Sequence, residues 1–390
     1  MSSAAAPITA PPALAGLLSQ PGHADWDEAR RPWNLAFDQQ PAACAHPASA
    51  DDVVALMALA REHGLRVAAQ GTGHAAGPMG PLDGTLLVRM DRMRAVTIDP
   101  DARIARAEGG ALWEDVVAGA AEHGLAALAG SSPDVGVVGY TLGGGLSWLG
   151  RTHGFAANNV AAIELVTADG RHLRADHEHE PDLFWALRGG GGNFGVVTAI
   201  ELRLVPVTEV HAGILWWPIE RGAEVLQAWR ALTASGVPDA LTTVGRFLKF
   251  PPIPEIPEAV RGKSFVVVEA IHLGDAAEAD ALLAPLRALE PVMDTCATIP
   301  ASQLAALHMD PDHPVPGIGD GFLLESLPEE AVDAFVAAAG ANSGFPLLSA
   351  EVRHIGGAFG REHPDHGAVG AADAEYAFFA VSIAPTPELG

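Results

Sequence analysis

Lysine is nearly missing from this sequence: Lys249 and Lys263 are the only two among 390 residues. Arginine does not make up the deficit. Lys and Arg together number 23 against 48 Asp and Glu, for a formal net charge of −25. So acidic a chain has no basic surface with which to neutralise phosphates, which argues against nucleic acid as a partner. It offers no polybasic cluster for an anionic membrane either. Cysteine is as scarce. Cys44 and Cys296 stand far apart and form no CxxC pair, so there is no disulfide framework and no zinc or thioredoxin-like motif. No hydrophobic run reaches the ~20 residues of a membrane-spanning helix. The opening Met1-Ser2-Ser3-Ala4-Ala5-Ala6-Pro7 lacks the basic segment of a signal peptide, and prolines interrupt the apolar stretch behind it. These absences point to a soluble cytoplasmic protein with a mobile N-terminal tail over residues 1–25.

What the chain has in quantity is glycine (43), proline (30) and apolar residues (49%). The hydrophobic content is too normal for disorder, and the length exceeds one compact core, so two domains are expected. The first clear helix is Asp51 to His63. Ser49 and Asp52 cap it, Val53, Leu56, Met57 and Ala60 repeat at helical spacing, and Gly64 stops it. Leu65 to Ala69 then reads as a strand running into Gly71-Thr72-Gly73-His74-Ala75-Ala76-Gly77. Short strands follow at Thr85 to Met90, Ala95 to Ile98 and Arg103 to Glu108, then a helix from Leu112 to His123. Ala168-Asp169-Gly170 is a hairpin turn between Ala161–Thr167 and Arg171–Arg174. Glycine runs end near Pro206. Beyond it, strands at His211–Trp217, Ser264–His272, Glu351–Ile355 and Ala377–Ile383 alternate with helices near 222–234, 276–289 and 329–339. The reading is therefore α+β, with domains at 26–207 and 208–390. Pro251–Pro257 and Met309–Gly321 read as surface loops.

Three glycine-dense loops, each beside a strand, fall in the first domain: Gly71–Gly77, Gly130–Gly145 and Gly189–Gly195. Glycine lets a ligand approach the backbone and exposes N–H groups to phosphate oxygens. The first loop is no Rossmann fingerprint, because Pro78, Gly80 and Pro81 forbid the helix that must follow, and no Walker lysine is present. One such loop is an ordinary turn. Three together indicate a large extended cofactor.

The residues of these loops carry a family resemblance. Gly71-Thr72-Gly73-His74 after a strand is one part. Ser132-Pro133-x-Val135-Gly136-Val137-x-Gly139, with Gly143-Gly144-Gly145, is another. Asp182-Leu183-Phe184-Trp185-Ala186-Leu187-Arg188-Gly189-Gly190-Gly191-x-Asn193-Phe194-Gly195-Val196-Val197 completes it. Together they resemble the FAD-linked oxidases of the vanillyl-alcohol oxidase and p-cresol methylhydroxylase (PCMH) superfamily, in its berberine-bridge-enzyme-like and 6-hydroxynicotine-oxidase-like branch. The match is specific over about residues 30–205 and weaker beyond. It implies a two-subdomain PCMH-type FAD-binding domain followed by a substrate domain with an antiparallel sheet flanked by helices.

The resemblance assigns FAD contacts to Gly71, Thr72, Gly73 and Gly77 of the first loop. It assigns further contacts to Ser131, Ser132, Pro133, Val135, Gly136, Gly139, Tyr140, Gly143 and Gly144 of the second. Asn159 and Val160 (after Asn158) and Gly195, Val196 and Val197 complete the cofactor set. His74 matches the histidine that bonds to the flavin 8α-methyl group, and a neutral imidazole is a competent nucleophile near pH 7. Ser132 stands where many members place a second-linking cysteine, so a single covalent link through His74 is expected. Val135 matches a site where valine accompanies reaction with O2. The implied activity is an FAD-dependent oxidase that takes hydride from an alcohol or amine carbon of a small organic substrate, with O2 as acceptor. Sugars, alkaloids and natural products all occur as substrates in the family, and the Ala-rich, Lys-poor composition hints at bacterial secondary metabolism.

Family members carry a further segment with a Tyr-x-Asn motif, which this sequence lacks, so the proton acceptor must be sought elsewhere. The candidates are Tyr140, Glu351 and His354. Strand alternation puts Glu351 and Arg353 on one face and His354 on the other, and only one face can meet the flavin. Tyr376 is a lesser candidate, and Trp216, Trp217 and Phe247 read as core or as pocket wall. Two other functions compete. A flavin-binding protein with impaired catalysis is one. A metal-dependent hydrolase is the other, on His177 and His179 and on His354, His363 and His366, at spacings that match no known metal motif. Metal is not expected, and the oligomeric state is not legible.

Overall fold

The computed structural model describes residues 8–254, 256–344 and 347–384. Residues 8–20 dock on the first core, contrary to the expected tail, while residues 21–25 are exposed. Helix α1 (Pro12–Ala15) and strand β1 (Leu18–Ser19) bury Ile8, Leu14 and Leu18 in the first core, and β1 pairs antiparallel with β2 (Ala43–Ala45). The Gln20 side chain closes the segment by bonding both the amide (2.8 Å) and the carbonyl (2.9 Å) of Ile8. Three apolar side chains at turn and strand spacing are enough to hold so short a stretch against a preformed surface. The part of that expectation on residues 1–7 lies outside the described residues, as does the end of the chain from 385.

After helix α2 (Trp26–Ala29) comes α3 (Ala50–Glu62). Its Ser49 cap accepts the Asp52 amide at 3.2 Å, and the Asp52 carboxylate accepts the Ala48 amide at 2.9 Å, so two otherwise orphaned donors are satisfied. Its apolar face covers a sheet of order β1-β2-β4-β3, in which β3 (Arg66–Gln70) and β2 both run parallel to β4 (Thr85–Arg89).

A second sheet holds β5 (Val96–Asp99), β6 (Ile104–Glu108), β7 (Val160–Val166), β8 (His172–Ala175) and β9 (Val196–Arg203), antiparallel in the order β5-β6-β9-β7-β8. Helices α4 (Trp113–Ala121), α5 (Val137–Leu142), α6 (Gly150–His153) and α7 (Pro181–Leu187) lie along this stretch. Trp113, Val137, Ile163 and Phe184 share its core. The expected hairpin joins β7 to β8, with Gly170 at φ +87°.

The third sheet contains β10 (Glu209–Pro218), β11 (Leu241–Lys249), β12 (Ser264–His272), β13 (Met293–Asp294), β14 (Ala297–Pro300), β15 (Gly317–Leu324), β16 (Ser349–His354) and β17 (Tyr376–Ile383). Its order is β13-β10-β12-β11-β16-β17-β15, with β14 also on β10. Helices α8 (Gly222–Ala234), α9 (Ala276–Arg287) and α10 (Glu329–Ala339) cover one face, packing on Trp217, Phe247, Val268 and Val352. The opposite face meets the second sheet's loops through Val244, Ile271, Leu128, Trp148 and Leu149. The architecture is α+β. No helix among the described residues is long and apolar enough to cross a membrane.

Two differences from the sequence reading concern strands of the third sheet. β11 was not anticipated, and the expected loop Met309–Gly321 ends inside β15. The run Gly317-Ile318-Gly319-Asp320-Gly321 has poor strand propensity. It pairs because its glycines permit close approach to β17: a Cβ at Gly319 would lie 2.7 Å from the Ala380 carbonyl oxygen, and one at Gly321 2.8 Å from that of Phe378. Tertiary contact overrides local preference here.

Candidate active site

The Gly130–Leu146 segment, β16, β17 and β15 enclose a cavity of about 620 Å³. Ser132, Val135, Tyr140, Glu351, Arg353 and Phe322 are among the residues that line it. Alternation along β16 decides which of its residues face this space. Ala350 and Val352 go to the helical side, and Glu351 and Arg353 to the cavity.

His354 therefore points away, which corrects its candidacy. It is buried, its Nε2 lies 3.1 Å from Arg151 Nη1, and its ring sits 5.3 Å from that of Tyr376. Burial, reinforced by the Arg151 charge, pushes its pKa down to about 3, so it stays neutral. Tyr376 bonds Thr233 at 2.9 Å and is likewise structural. Trp217 and Phe247 lie in the helix-covered core, and Trp216 packs against Phe250 and Phe265 on the other face.

Glu351 reaches the cavity but is already committed. Its Oε1 accepts from Arg353 Nε at 2.5 Å. Its Oε2 lies 2.9 Å from His308 Nε2 and 3.8 Å from Arg246 Nε. Although burial raises its pKa, these cations outweigh burial and hold the carboxyl far below the usual carboxylate range. Glu351 thus anchors Arg353 rather than taking up protons. Behind it, His308 Nδ1 meets Glu269 Oε2 at 2.8 Å, and Arg246 Nη1 donates to Glu269 Oε1 at 2.9 Å and to the His308 carbonyl at 2.8 Å. Burial alone would depress the His308 pKa, but Glu269 and then Glu351 outweigh it and raise it to about 9. His308 is therefore an imidazolium at neutral pH. The indole of Trp148 covers both His308 (5.6 Å) and the Arg353 guanidinium (5.0 Å).

Tyr140 stands on α5 with its ring gripped by glycines. A Cβ at Gly130 would lie 2.9 Å from the ring and one at Gly145 2.5 Å, and Trp113 packs edge-on at 5.3 Å. Its hydroxyl is buried and has no hydrogen-bond partner among the described residues. Burial pushes the phenol well above its usual pKa, opposed only by the Arg353 charge.

The first loop meets the second through His74. Its Nε2 lies 3.2 Å from Asp134 Oδ1, and its ring stacks on Trp33 at 3.8 Å and 19°. Trp33 Nε1 donates to Asp134 Oδ2 at 2.5 Å, and the Trp33 amide donates to the Thr72 carbonyl at 2.9 Å. Beside them a second cavity, of about 330 Å³, is lined by Gly71, Thr72, Arg89, Arg94, Gly110 and Leu112.

The other sequence-predicted positions divide. Ser131 and Gly143 also line the large cavity, and Ser131 Oγ donates to Asp310 at 2.8 Å. Gly71 and Gly139 face open space, where a Cβ would meet nothing within 4 Å. Gly136 lies close to the Thr72 amide, and Gly144 packs near Phe155 and Val369. Gly73 and Gly77 are required by packing, since a Cβ at either would strike Pro32 or the Phe37 ring. The Pro133 carbonyl accepts from the Glu114 amide. Asn159 bonds the carbonyls of His153 and Phe155, and Val160 and Val197 are buried in the second core. Gly195 and Val196 border a separate cavity of about 610 Å³ beside β3.

Sequence reasoning missed Trp33, Asp134, Trp148, Arg246, Glu269 and His308. Glu269 and Arg246 left a signal, each a lone charge inside an uncharged run (Phe265–Ile271 and Leu241–Leu248), where a buried charge demands a partner. The other histidine clusters do not assemble. His179 bonds Asp176 in an exposed turn, and among the described residues no group of three His, Cys, Asp or Glu side chains could hold a metal ion.

Comparison with known proteins adds a second line of evidence. A family model described as an FAD binding domain matches residues 41–176. The (R)-6-hydroxynicotine oxidase of Paenarthrobacter nicotinovorans is 33% identical over 211 residues, which are 54% of this chain and 46% of that protein. The xylooligosaccharide oxidase of Thermothelomyces thermophilus is 34% identical over 53% of this chain and 43% of that protein. The match thus spans under half the length of these two relatives. The FAD-linked oxidoreductase YvdP of Bacillus subtilis is 31% identical over 312 residues, 79% of this chain and 67% of that protein. The solved structure of 6-hydroxy-D-nicotine oxidase from Arthrobacter nicotinovorans superimposes with a TM-score of 0.79 at 25% identity, over 95% of this chain and 82% of that one.

Proposed function

We propose a function from the premise that this chain belongs to the FAD-linked oxidoreductases with a PCMH-type FAD-binding domain. The proposed activity is that of an oxidase acting on an alcohol or amine carbon of a small organic molecule. The observation that carries it is the 620 Å³ cavity where the glycine loop of one domain faces Arg353 and Glu351 of the other. Its size suits a flavin ring and a small substrate together.

The residues present fit FAD. Gly71 and Gly139 leave backbone open to a ligand, two cavities flank the first loop and α5, and Tyr140 presents a buried hydroxyl with no hydrogen-bond partner among the described residues. In this reading Gly71, Thr72, Ser131, Ser132, Val135, Gly139, Tyr140 and Gly143 hold the cofactor, and His74 binds it covalently. Ser132 offers no second link. When bound, FAD supplies a two-electron acceptor for hydride and passes the electrons to O2.

The chain's own groups then do the following. Arg353, fixed by Glu351 and covered by Trp148, presents a guanidinium that orients an acceptor atom in the cavity. Tyr140 keeps its proton and donates a hydrogen bond to the substrate's oxygen or nitrogen. Phe322 and Phe379, both exposed, give the cavity an apolar wall on its open side.

One observation favours a second reading, a flavin-binding protein with impaired turnover. Glu351 is held ionised by cations and Tyr140 is held protonated by burial, so neither takes up a proton near pH 7. A single experiment separates the readings. The purified protein is denatured in acid, its flavin followed with the polypeptide, and the native protein screened for peroxide release with alcohols and amines. Acid-stable flavin with peroxide supports the oxidase. Acid-stable flavin that no substrate reduces supports the second reading, and absence of flavin overturns both.

A further inference from the structure

Trp33, His74 and Asp134 come from three separate segments and meet in one place. Asp134 uses both carboxylate oxygens. Oδ2 takes the Trp33 indole N–H at 2.5 Å, while Oδ1 accepts from Ser132 Oγ at 3.3 Å and faces His74 Nε2 at 3.2 Å. The His74 approach lies off the line of a finished hydrogen bond, and Nε2 is otherwise buried without a partner, so a small turn of the ring completes the contact. Trp33 stacks on the imidazole and fixes its plane. The imidazole and the carboxylate are both largely shielded, with side chains 20% and 21% exposed, so the pair interacts in a medium less polar than water. Although burial raises the Asp134 pKa, the contacts from His74, Trp33 and Ser132 outweigh it and keep the group ionised.

The consequence is chemical. A carboxylate at Nε2 favours the tautomer that carries its proton there, which leaves the lone pair on Nδ1. We propose that Asp134, held by Trp33, is the residue that activates His74 for covalent attachment of the flavin.

The inference rests on the reading that His74 carries the flavin. In the step, Nδ1 forms a bond to the 8α carbon as one methyl C–H bond breaks. The ring gains positive charge, which Asp134 offsets until the Nε2 proton departs. The two electrons, and in sum the methyl and imidazole protons, reduce the flavin. O2 then reoxidises it and leaves as hydrogen peroxide. Asp134 is a positioning residue here, since it acts through the imidazole.

The test follows attachment rather than turnover. Wild type, His74→Ala, Asp134→Asn, Asp134→Glu and Trp33→Phe are each incubated with saturating FAD. Acid-stable flavin fluorescence on the polypeptide is then measured against time. We expect wild type to link, His74→Ala never to link, and Asp134→Asn to bind FAD reversibly but link at least about tenfold more slowly. Asp134→Glu should recover part of the rate, which a merely structural role for the side chain does not foresee. If Asp134→Asn fails to bind FAD, Trp33→Phe decides. It keeps the stacked ring, removes the N–H on Oδ2, and should link severalfold more slowly. Linking at the wild-type rate in Asp134→Asn, or in Trp33→Phe when that variant decides, overturns the proposal. Wild type that never links overturns instead the reading on which the proposal rests.

Discussion

Raising the pH through 9 should loosen the third sheet from its cavity side. The group responsible is His308, enclosed by Glu269 and Glu351, with Arg246, Arg353 and Asp310 around them. Its pKa is raised from an ordinary 6.5 to about 9. A group raised on folding contributes stability that is complete below its unfolded pKa and lost as pH climbs through its folded one. The stabilisation is therefore full below pH 6.5, still large at pH 7 and absent by pH 10. At ~1.4 kcal/mol per unit, the loss between pH 7 and pH 10 comes to about 2–3 kcal/mol. At roughly 2–4 °C per kcal/mol this is a fall in melting temperature of about 5–10 °C. Other groups titrate over the same interval, so the quantity to follow is the difference between wild type and His308→Gln. Trp148, whose ring lies 5.6 Å from His308, makes intrinsic fluorescence a local reporter. The wild-type advantage should shrink by about 2–3 kcal/mol from pH 7 to pH 10. An advantage that stays constant over that range would refute the charged-imidazole account.

Three further outcomes follow from the same geometry. Glu351→Gln leaves Arg353 and His308 without their shared anion, and should lower stability by about 3–5 kcal/mol in thermal unfolding. Tyr140→Phe removes a hydroxyl with no hydrogen-bond partner among the described residues, so stability should be unchanged, while peroxide production falls by about 10²-fold. Gly145→Ala sets a Cβ against the Tyr140 ring at a backbone φ of +76°, and should cost about 1–3 kcal/mol in stability and displace the phenol. Its turnover should fall with that of Tyr140→Phe, and wild-type turnover in Gly145→Ala would show that the ring's placement is immaterial.

Much of the fold was legible because it rests on local chemistry. Ser49 and Asp52 announce α3, Asp169-Gly170 the turn between β7 and β8, and Ala- and Leu-rich runs the helices that cover the third sheet. The glycine loops announced a large cofactor, because glycine beside strands has few other uses in such density. β15 was hidden, since its glycines look like a loop until β17 is placed beside them. The docked segment 8–20 was hidden too, because three apolar side chains among prolines carry no periodicity.

The site was legible only in part. Alternation said that Glu351 and Arg353 share a face and His354 does not, but nothing in the order of residues says which face meets the cavity. That choice follows from α8, α9 and α10 covering Val352, which turns Arg353 the other way. Nor could the sequence say that Glu351 is spent. Arg246, Glu269 and His308 come from β11, β12 and the stretch before β15, and only the folded sheet brings them within reach of it. The sequence by itself marked the glycine loops at Gly71–Gly77, Gly130–Gly145 and Gly189–Gly195, because backbone freedom belongs to the residue that has it. The tertiary structure alone decided the protonation states, because a charge is set by what surrounds it.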